Sequence, residues 1–289
     1  MSLSDETSHF DLRQRKSQAG RPARSESNPG IDHSSNTGRT ALVLFTLTPR
    51  LEANSKRIGV RGSRSGRVRL FEALIAHTRA VLSEAGCGDV VLSSPEGVQG
   101  DRAIVQVGDS FAERFTHTIA ELFARGYERV VVVGNDCPTL TPALIRGAVA
   151  QIEGRSLTAV LGPARDGGFY LLGLDRRAFD SIGPAGLRTL PWGGSTLASE
   201  LVALISRSGS DVPLLQYSAD LDDDHDLECL AVSGSNLPRI VRASVARLVS
   251  RAIRGAAPSV NPPLTSAMHL GRSSRAPPGR STEWIARTW

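Results

Sequence analysis

The sequence is poor in the features that would assign it quickly. It has only three cysteines, Cys87, Cys137 and Cys229. They show no metal-type spacing, and an odd number of them does not suggest a disulfide framework. No apolar run reaches the ~18 residues of a membrane-spanning helix. The opening "MSLSDETSHFDLRQRK" has no apolar centre, so it does not read as a secretory signal. A soluble, cytoplasmic protein is the expectation. Acidic residues are nearly missing from the end of the chain. Residues 232–289 hold nine arginines and one acid, Glu283, so the formal charge of +5 hides a body, residues 1–231, at −3. The basicity belongs to the tail, and charge gives no support to nucleic-acid binding by the body.

What is present is an alternation of short apolar runs and helical patterns. Residues 1–39 are rich in Ser, Arg, Gly, Asn and Asp without apolar periodicity and read as disordered. "TALVLFTL" reads as a strand, "LFEALIAHTRAVLSEAG" as a helix, and "DVVLSS" and "AIVQV" as strands. "DSFAERFTHTIAELFARG" is a helix with Ser110 and Glu113 at capping-box spacing. "RVVVVG" is a strand, and "TPALIRGAVAQIEG" a helix with Thr141 as N-cap and Pro142 at its first position. "LTAVLG", "GFYLLGL" and "VPLLQY" read as strands, "STLASELVALISRSG" and "DDHDLECLAV" as helices. This order predicts an α/β sheet with helices on both faces. The predicted organisation is one domain over residues 40–235, a basic amphipathic helix over 236–254, and a disordered tail over 255–289. The basic helix could pack on the domain or lie on an anionic membrane surface; packing is the expectation, since isolated helices of this length are marginal in water.

Three acidic positions sit beside strands. Asp136 follows "RVVVVG", beyond the carboxyl end of a strand, where ligands bind in open α/β sheets. A carboxylate there suits a divalent cation carrying phosphate oxygens, or an ordinary Asx turn. Asp166 precedes Gly167 and Gly168. Paired glycines beside a strand mean a bulge, a ligand pressed against the backbone, or a plain Asp-Gly hairpin turn. Asp220 and Asp222 flank Leu221 after "VPLLQY", either as ligands or as part of a helix start together with Asp223 and Asp226. Trp192, in "PWGGST", offers a ring that could stack on a base or sugar. Cys137 reads as a small buried residue rather than a nucleophile, because no partner histidine is identifiable.

Taken together, "VVVVGNDCPTLTPALIRGAV", "AVLGPARDGGFYLLGL", "LPWGGSTLASEL" and "ADLDDDHDL" resemble, in content and order, a bacterial glycosyltransferase-A-like family of unknown function. That family is similar to the molybdenum-cofactor guanylyltransferases and the phospholactate guanylyltransferases. The resemblance covers residues 41–231. It implies a glycosyltransferase-A-type, Rossmann-like mixed sheet. It also implies a metal-dependent transferase using a nucleotide-activated donor, a nucleoside triphosphate or a nucleotide sugar, with an acceptor that the residues do not identify.

By the same resemblance, Asp136 and Asp166 are the catalytic candidates, and Asp136, Asp220 and Asp222 would hold Mg²⁺ or Mn²⁺. Lys56, Arg57, Arg114, Gly167, Gly168 and Trp192 are the candidates for nucleotide or substrate contact. Arg114 aligns through "DSFAER" and reads equally as a solvated helix residue. One segment departs from the pattern. Relatives follow the first strand with A-P-x-x-G-x-x-K-T-R-L, whereas this chain has "TLTPRLEANSKRIG", which keeps Pro49 and Arg50 and lacks the loop glycine. A loop glycine lets backbone N–H groups approach phosphate. Its absence leaves open a second expectation, a catalytically degenerate member that binds a nucleotide or a partner without turnover.

Overall fold

A computed structural model describes residues 39–58, 63–96, 102–153, 158–218, 220–233 and 237–255, without the side chains of residues 233 and 249–255. The expectations for residues 1–38 and 256–289 lie outside the described residues.

Six strands form one sheet: β1 Thr40–Phe45, β2 Asp89–Ser94, β3 Ala103–Val105, β4 Arg129–Val133, β5 Ala159–Pro163 and β6 Phe169–Asp175. Their order is β3-β2-β1-β4-β6-β5. The first four are parallel, and β6 runs antiparallel to both β4 and β5. The chain thus has a mixed α/β sheet. β1 and β4 lie centrally and are covered on both sides, which is why "TALVLF" and "RVVVV" are almost continuously apolar. Alternate residues still separate by face. Ala41, Val43 and Phe45 join Val130 and Val132 in one core, while Leu42 and Leu44 join Val131 and Val133 in the other.

The helices are α1 Pro49–Ser55, α2 Arg64–Ala85, α3 Phe111–Ala124, α4 Pro142–Glu153, α5 Arg176–Arg188, α6 Leu197–Ser206, α7 Asp224–Ser233 and α8 Arg239–Gly255. α3, α5 and α6 pack on the first face, and α4 with the C-terminal part of α2 on the second. The Ser110–Glu113 capping box is formed, and Thr141 Oγ1 accepts from Leu144 N at 3.2 Å at the start of α4. A third core joins α1, α2, α7 and α8 through Ala53, Leu70, Phe71, Leu74, Leu227, Val241, Val245 and Leu248.

Three elements differ from expectation. The segment after β1 is a helix, α1, started by Pro49 at its first turn with Glu52 at the positive end of its dipole. α5 has no counterpart in the sequence reading, because Gly183 (φ 65°) and Pro184 break its pattern in the middle. "VPLLQY" is not a regular strand. It follows the open edge of β5 through Leu161 N to Pro213 O (3.1 Å), Leu215 N to Leu161 O (2.8 Å) and Ser218 N to Pro163 O (3.2 Å). Pro213 has no N–H to extend the ladder.

Candidate functional site

The chain leaves β1 toward β2 on one side and returns to β4 on the other, so the switch point of the sheet lies between β1 and β4. β5 runs in the same direction as β1 and β4, so the β5–β6 turn shares their carboxyl edge. Asn135 closes the crevice, its Nδ2 donating to Thr46 Oγ1 at 2.9 Å. Thr46 donates in turn to Glu52 Oε1 at 3.2 Å, which also accepts from Leu47 N at 2.9 Å. Gln106 Nε2 donates to Thr46 O and Ser93 O at 3.1 and 3.0 Å, tying the ends of β1 and β2. This buried polar floor was absent from the sequence reading, and Glu52 faces inward rather than toward a ligand. Its signal was polar residues directly after apolar strands.

On the floor sits a group of carboxylates around one ammonium. Leu221 N donates to Asp136 O at 3.0 Å, which fastens the segment carrying Asp220 and Asp222 to the end of β4. Lys56, the C-cap of α1, places Nζ 2.5 Å from Asp136 Oδ2, 2.7 Å from Asp222 Oδ1 and 3.4 Å from Leu221 O. The side chains of Lys56 and Asp136 are 2% and 1% exposed; that of Asp222 is 39% exposed and marks the solvent side. Asp136 Oδ1 and both carboxylate oxygens of Asp220 are buried without a hydrogen-bond partner.

The electrostatics follow from burial and crowding. Burial pushes Asp220 up to about 9, with repulsion from Asp136, Asp166 and Asp222 adding to it and Lys56 opposing it. Asp220 therefore carries its proton at neutral pH. Burial also raises Asp222 and Glu52, against the pull of Lys56. Burial alone would lower Lys56, but Asp136, Asp222 and Glu52 outweigh it and hold the ammonium charged well above its usual range. Among the described residues, no three His, Cys, Asp or Glu side chains converge as a ready cation cage. Lys56 stands where two of the carboxylates meet.

Of the residues expected at the site, Lys56, Asp136 and Asp222 are in direct contact and Asp220 lies within their field. Asp166 is exposed on the hairpin. Its Oδ1 accepts from Gly168 N at 2.8 Å in an Asx turn, near enough for its charge to reach Asp220 and Asp222. Gly167 needs correction. Its φ is +93°, and a Cβ there would lie 1.9 Å from Ser195 O, so what presses on it is the chain's own backbone and not a ligand. The pair belongs to a tight turn in which Ala164 N donates to Gly168 O at 2.9 Å.

Trp192 needs correction too. Its ring packs on Phe111, Phe115 and Phe169 at centroid distances of 5.2, 5.0 and 6.0 Å, and its Nε1 donates to Leu187 O at 2.9 Å. It is half-buried and packs against the core, so the chain's own aromatic rings occupy it in place of a base or sugar. Arg57 is exposed and bridges to Asp223 through its backbone. Arg114, on α3, reaches Asp109 O at 3.5 Å and makes no described contact with the cluster. Asp223 and Asp226 cap α7 reciprocally: Asp223 Oδ1 accepts from Asp226 N at 3.1 Å, and Asp226 Oδ2 from Asp223 N at 3.1 Å. Cys137 is buried, and burial lifts its thiol to about 11, which removes it as a nucleophile.

Comparison with known proteins adds to this geometry. The family described as "Uncharacterized protein conserved in bacteria (DUF2064)" matches residues 73–194, a span that contains Asp136 and Asp166 but not Lys56, Asp220 or Asp222. No curated protein matches the chain. Among solved structures, a candidate nucleotide-diphospho-sugar transferase from Desulfovibrio desulfuricans G20 is 22% identical with a TM-score of 0.62, over 75% of this chain and 97% of that one. Rv0371c from Mycobacterium tuberculosis H37Rv is 18% identical over 68% and 98% of the two chains, with a TM-score of 0.44. At that score it adds nothing to the fold assignment. The described chain is thus a sheet of the glycosyltransferase-A type, with an acidic cluster and a buried lysine at the switch point.

Proposed function

We propose that the chain is a transferase acting on a nucleotide-activated donor, with its site at the carboxyl edge between β1 and β4. The observation that carries this reading is the placement of Asp136, Asp220, Asp222 and Lys56 together at the switch point. The likeness to a candidate nucleotide-diphospho-sugar transferase supports the same direction. The donor is a nucleoside triphosphate or a nucleotide sugar. The finer relation to guanylyltransferases is part of this proposal.

The donor set suits a hard divalent cation once loaded, although the carboxylates do not converge as a cage beforehand: Asp136 Oδ1 and the Asp220 carboxyl are buried without hydrogen-bond partners, and a cation there would displace the Asp220 proton. Mg²⁺ or Mn²⁺ held by Asp136, Asp220 and Asp222 would neutralise charge on the donor phosphates and favour departure of the phosphate leaving group. The remaining work falls to the chain. Asn135, Thr46, Glu52 and Gln106 hold the ends of β1, β2 and β4 in fixed relation, so the site is pre-organised. Lys56 supplies a permanent positive charge for a phosphate oxygen. With Cys137 inert, the activated group passes directly to an acceptor oxygen, and positioning supplies most of the rate.

A second reading, ligand binding without turnover, is favoured by one observation: helix α1 stands where a glycine-bearing phosphate loop is expected. Thermal shift and calorimetry with nucleoside triphosphates and nucleotide sugars, with and without Mg²⁺, test the first point. A divalent-dependent rise in melting temperature with at least one donor is expected. Binding without any product from that donor across a panel of acceptors would favour the second reading. No binding by any donor would remove the first reading and leave, of the second, partner binding alone.

A further inference from the structure

Of the 34 basic residues in the sequence, 32 are arginines and only two, Lys16 and Lys56, are lysines. The one described lysine is 2% exposed and sits among carboxyl groups. Arginine and lysine differ in shape: a guanidinium is a planar fork, whereas an ammonium is a compact point charge with three donors. The compact ion lies between Asp136 Oδ2 at 2.5 Å and Asp222 Oδ1 at 2.7 Å and reaches Leu221 O at 3.4 Å, one donor to each. Those are the ligand types and the crowding that a small cation would meet, apart from the tether.

We propose that Lys56 is an internal cation that keeps the carboxylate cluster closed, so that a divalent ion and the Lys56 ammonium compete for Asp136 and Asp222. The inference rests on the reading of this edge as a donor site. It adds that the site is self-occupied until loading. The exit is on the Asp222 side, which is the half-exposed side of the pair. An ammonium taken from two carboxylates needs a new anion, because an unpaired buried charge is costly. A donor phosphate entering with the divalent ion is such an anion. Loading of ion and phosphate is therefore cooperative, and the ion alone binds weakly.

The experiment uses the full chain and Mn²⁺ alone, with free Mn²⁺ followed by electron paramagnetic resonance. Lys56→Met and Lys56→Gln are expected to bind Mn²⁺ at least tenfold more tightly than wild type, and adding Asp136→Asn to either should abolish the gain. Equal or weaker Mn²⁺ affinity in both variants overturns the inference while leaving a metal site intact. Absence of Mn²⁺ binding in wild type and variants alike overturns it as well.

A second measurement needs no substitution. Wild-type chain is treated with an amine-acylating reagent, and Lys56 is compared with Lys16 by mass spectrometry. Lys56 is expected to be unreactive without metal and to gain at least tenfold at the Mn²⁺ concentration that the resonance titration shows to fill the wild-type site; an unchanged rate at that concentration overturns the proposal. If both Mn²⁺ experiments succeed and no nucleotide donor binds, the transferase reading fails and the competition stands.

Discussion

Leu221 N donates to the carbonyl oxygen of Asp136 at 3.0 Å, so a backbone bond, besides the Lys56 ion pairs, holds the late acidic segment against the end of β4. The two residues are far apart in sequence, yet the bond survives any change of the Asp136 side chain. Asp136→Asn should therefore leave the fold intact. Lys56 keeps Asp222, so the stability loss should stay below the ~3–5 kcal/mol typical of a fully orphaned buried charge. Divalent-dependent donor binding should disappear. Calorimetry on the folded variant checks this, and unchanged metal-dependent affinity would remove Asp136 from the site.

Asp220 gives a pH dependence whose sign can be worked out. Its ordinary value of 3.8 rises to about 9 in the folded chain. Between those values the folded state holds a proton that the unfolded state has lost, so stability is highest at the acid end and falls as pH rises. In metal-free buffer, Asp220→Asn, which cannot titrate, should gain in melting temperature relative to wild type between about pH 5 and pH 9. A constant difference across that window would place Asp220 at its ordinary value.

Gly167 separates a structural glycine from a ligand-contacting one. With φ at +93° and Ser195 O in the place of its missing Cβ, Gly167→Ala forces the hairpin and the 191–196 loop apart. The expected loss is at least the ~1–3 kcal/mol of a strained backbone position, with a further contribution from the overlap. Circular dichroism melts read it directly. A variant of wild-type stability that lost only donor affinity would restore the ligand interpretation.

Trp192 is expected to act through packing. Trp192→Ala should cost less than the ~3–5 kcal/mol of a fully buried aromatic, since the ring is half-buried. Trp192→Phe, which keeps most of the ring contacts with Phe111, Phe115 and Phe169, should cost less and leave donor affinity unchanged. A folded Trp192→Phe protein with strongly weakened donor binding would return the indole to the site.

The strands and most helices were legible because their signals are local. "RVVVV" is apolar enough to mark a strand buried on both faces, and Ser110 with Glu113 marks a helix start within four residues. α1 was not legible, because its seven residues carry no apolar face long enough to show a period. α5 was hidden by Gly183 and Pro184. At the site, the sequence placed Asp136, Asp220 and Asp222 at strand ends. It could not show that Lys56 joins them across separations of 80 and 166 residues. The Asp-Gly hairpin turn was among the readings of the sequence, but the ligand roles that the resemblance gave Trp192 and Gly167 were not sustained, because their partners, Phe111 and Ser195, are set by tertiary packing. Lys56 itself was a candidate through the family resemblance, as a phosphate contact; its pairing with the carboxylates was not.

The basic helix offers the last test. α8 buries Val241, Val245 and Leu248 against α1, α2 and α7, while Arg239, Arg242 and Arg247 stay exposed. The contact is close: a Cβ on Gly66 of α2 would lie 2.9 Å from Leu248 Cδ2. The helix therefore already has a partner for its apolar face. Each of those aliphatic side chains contributes about 1.5–3 kcal/mol by leaving water. Leu248→Ala should cost ~2–5 kcal/mol, and Val241→Asp more, since it buries an unpaired charge. Arg242→Gln and Arg247→Gln should each stay within about 0.5 kcal/mol, as surface changes do. Native chain should ignore vesicles of anionic lipid at physiological salt, because insertion would first require undocking the helix. Denaturant melts of the four variants and a vesicle sedimentation assay decide the matter. Salt-sensitive sedimentation with vesicles, together with a Leu248→Ala protein as stable as wild type, would make α8 a surface anchor instead.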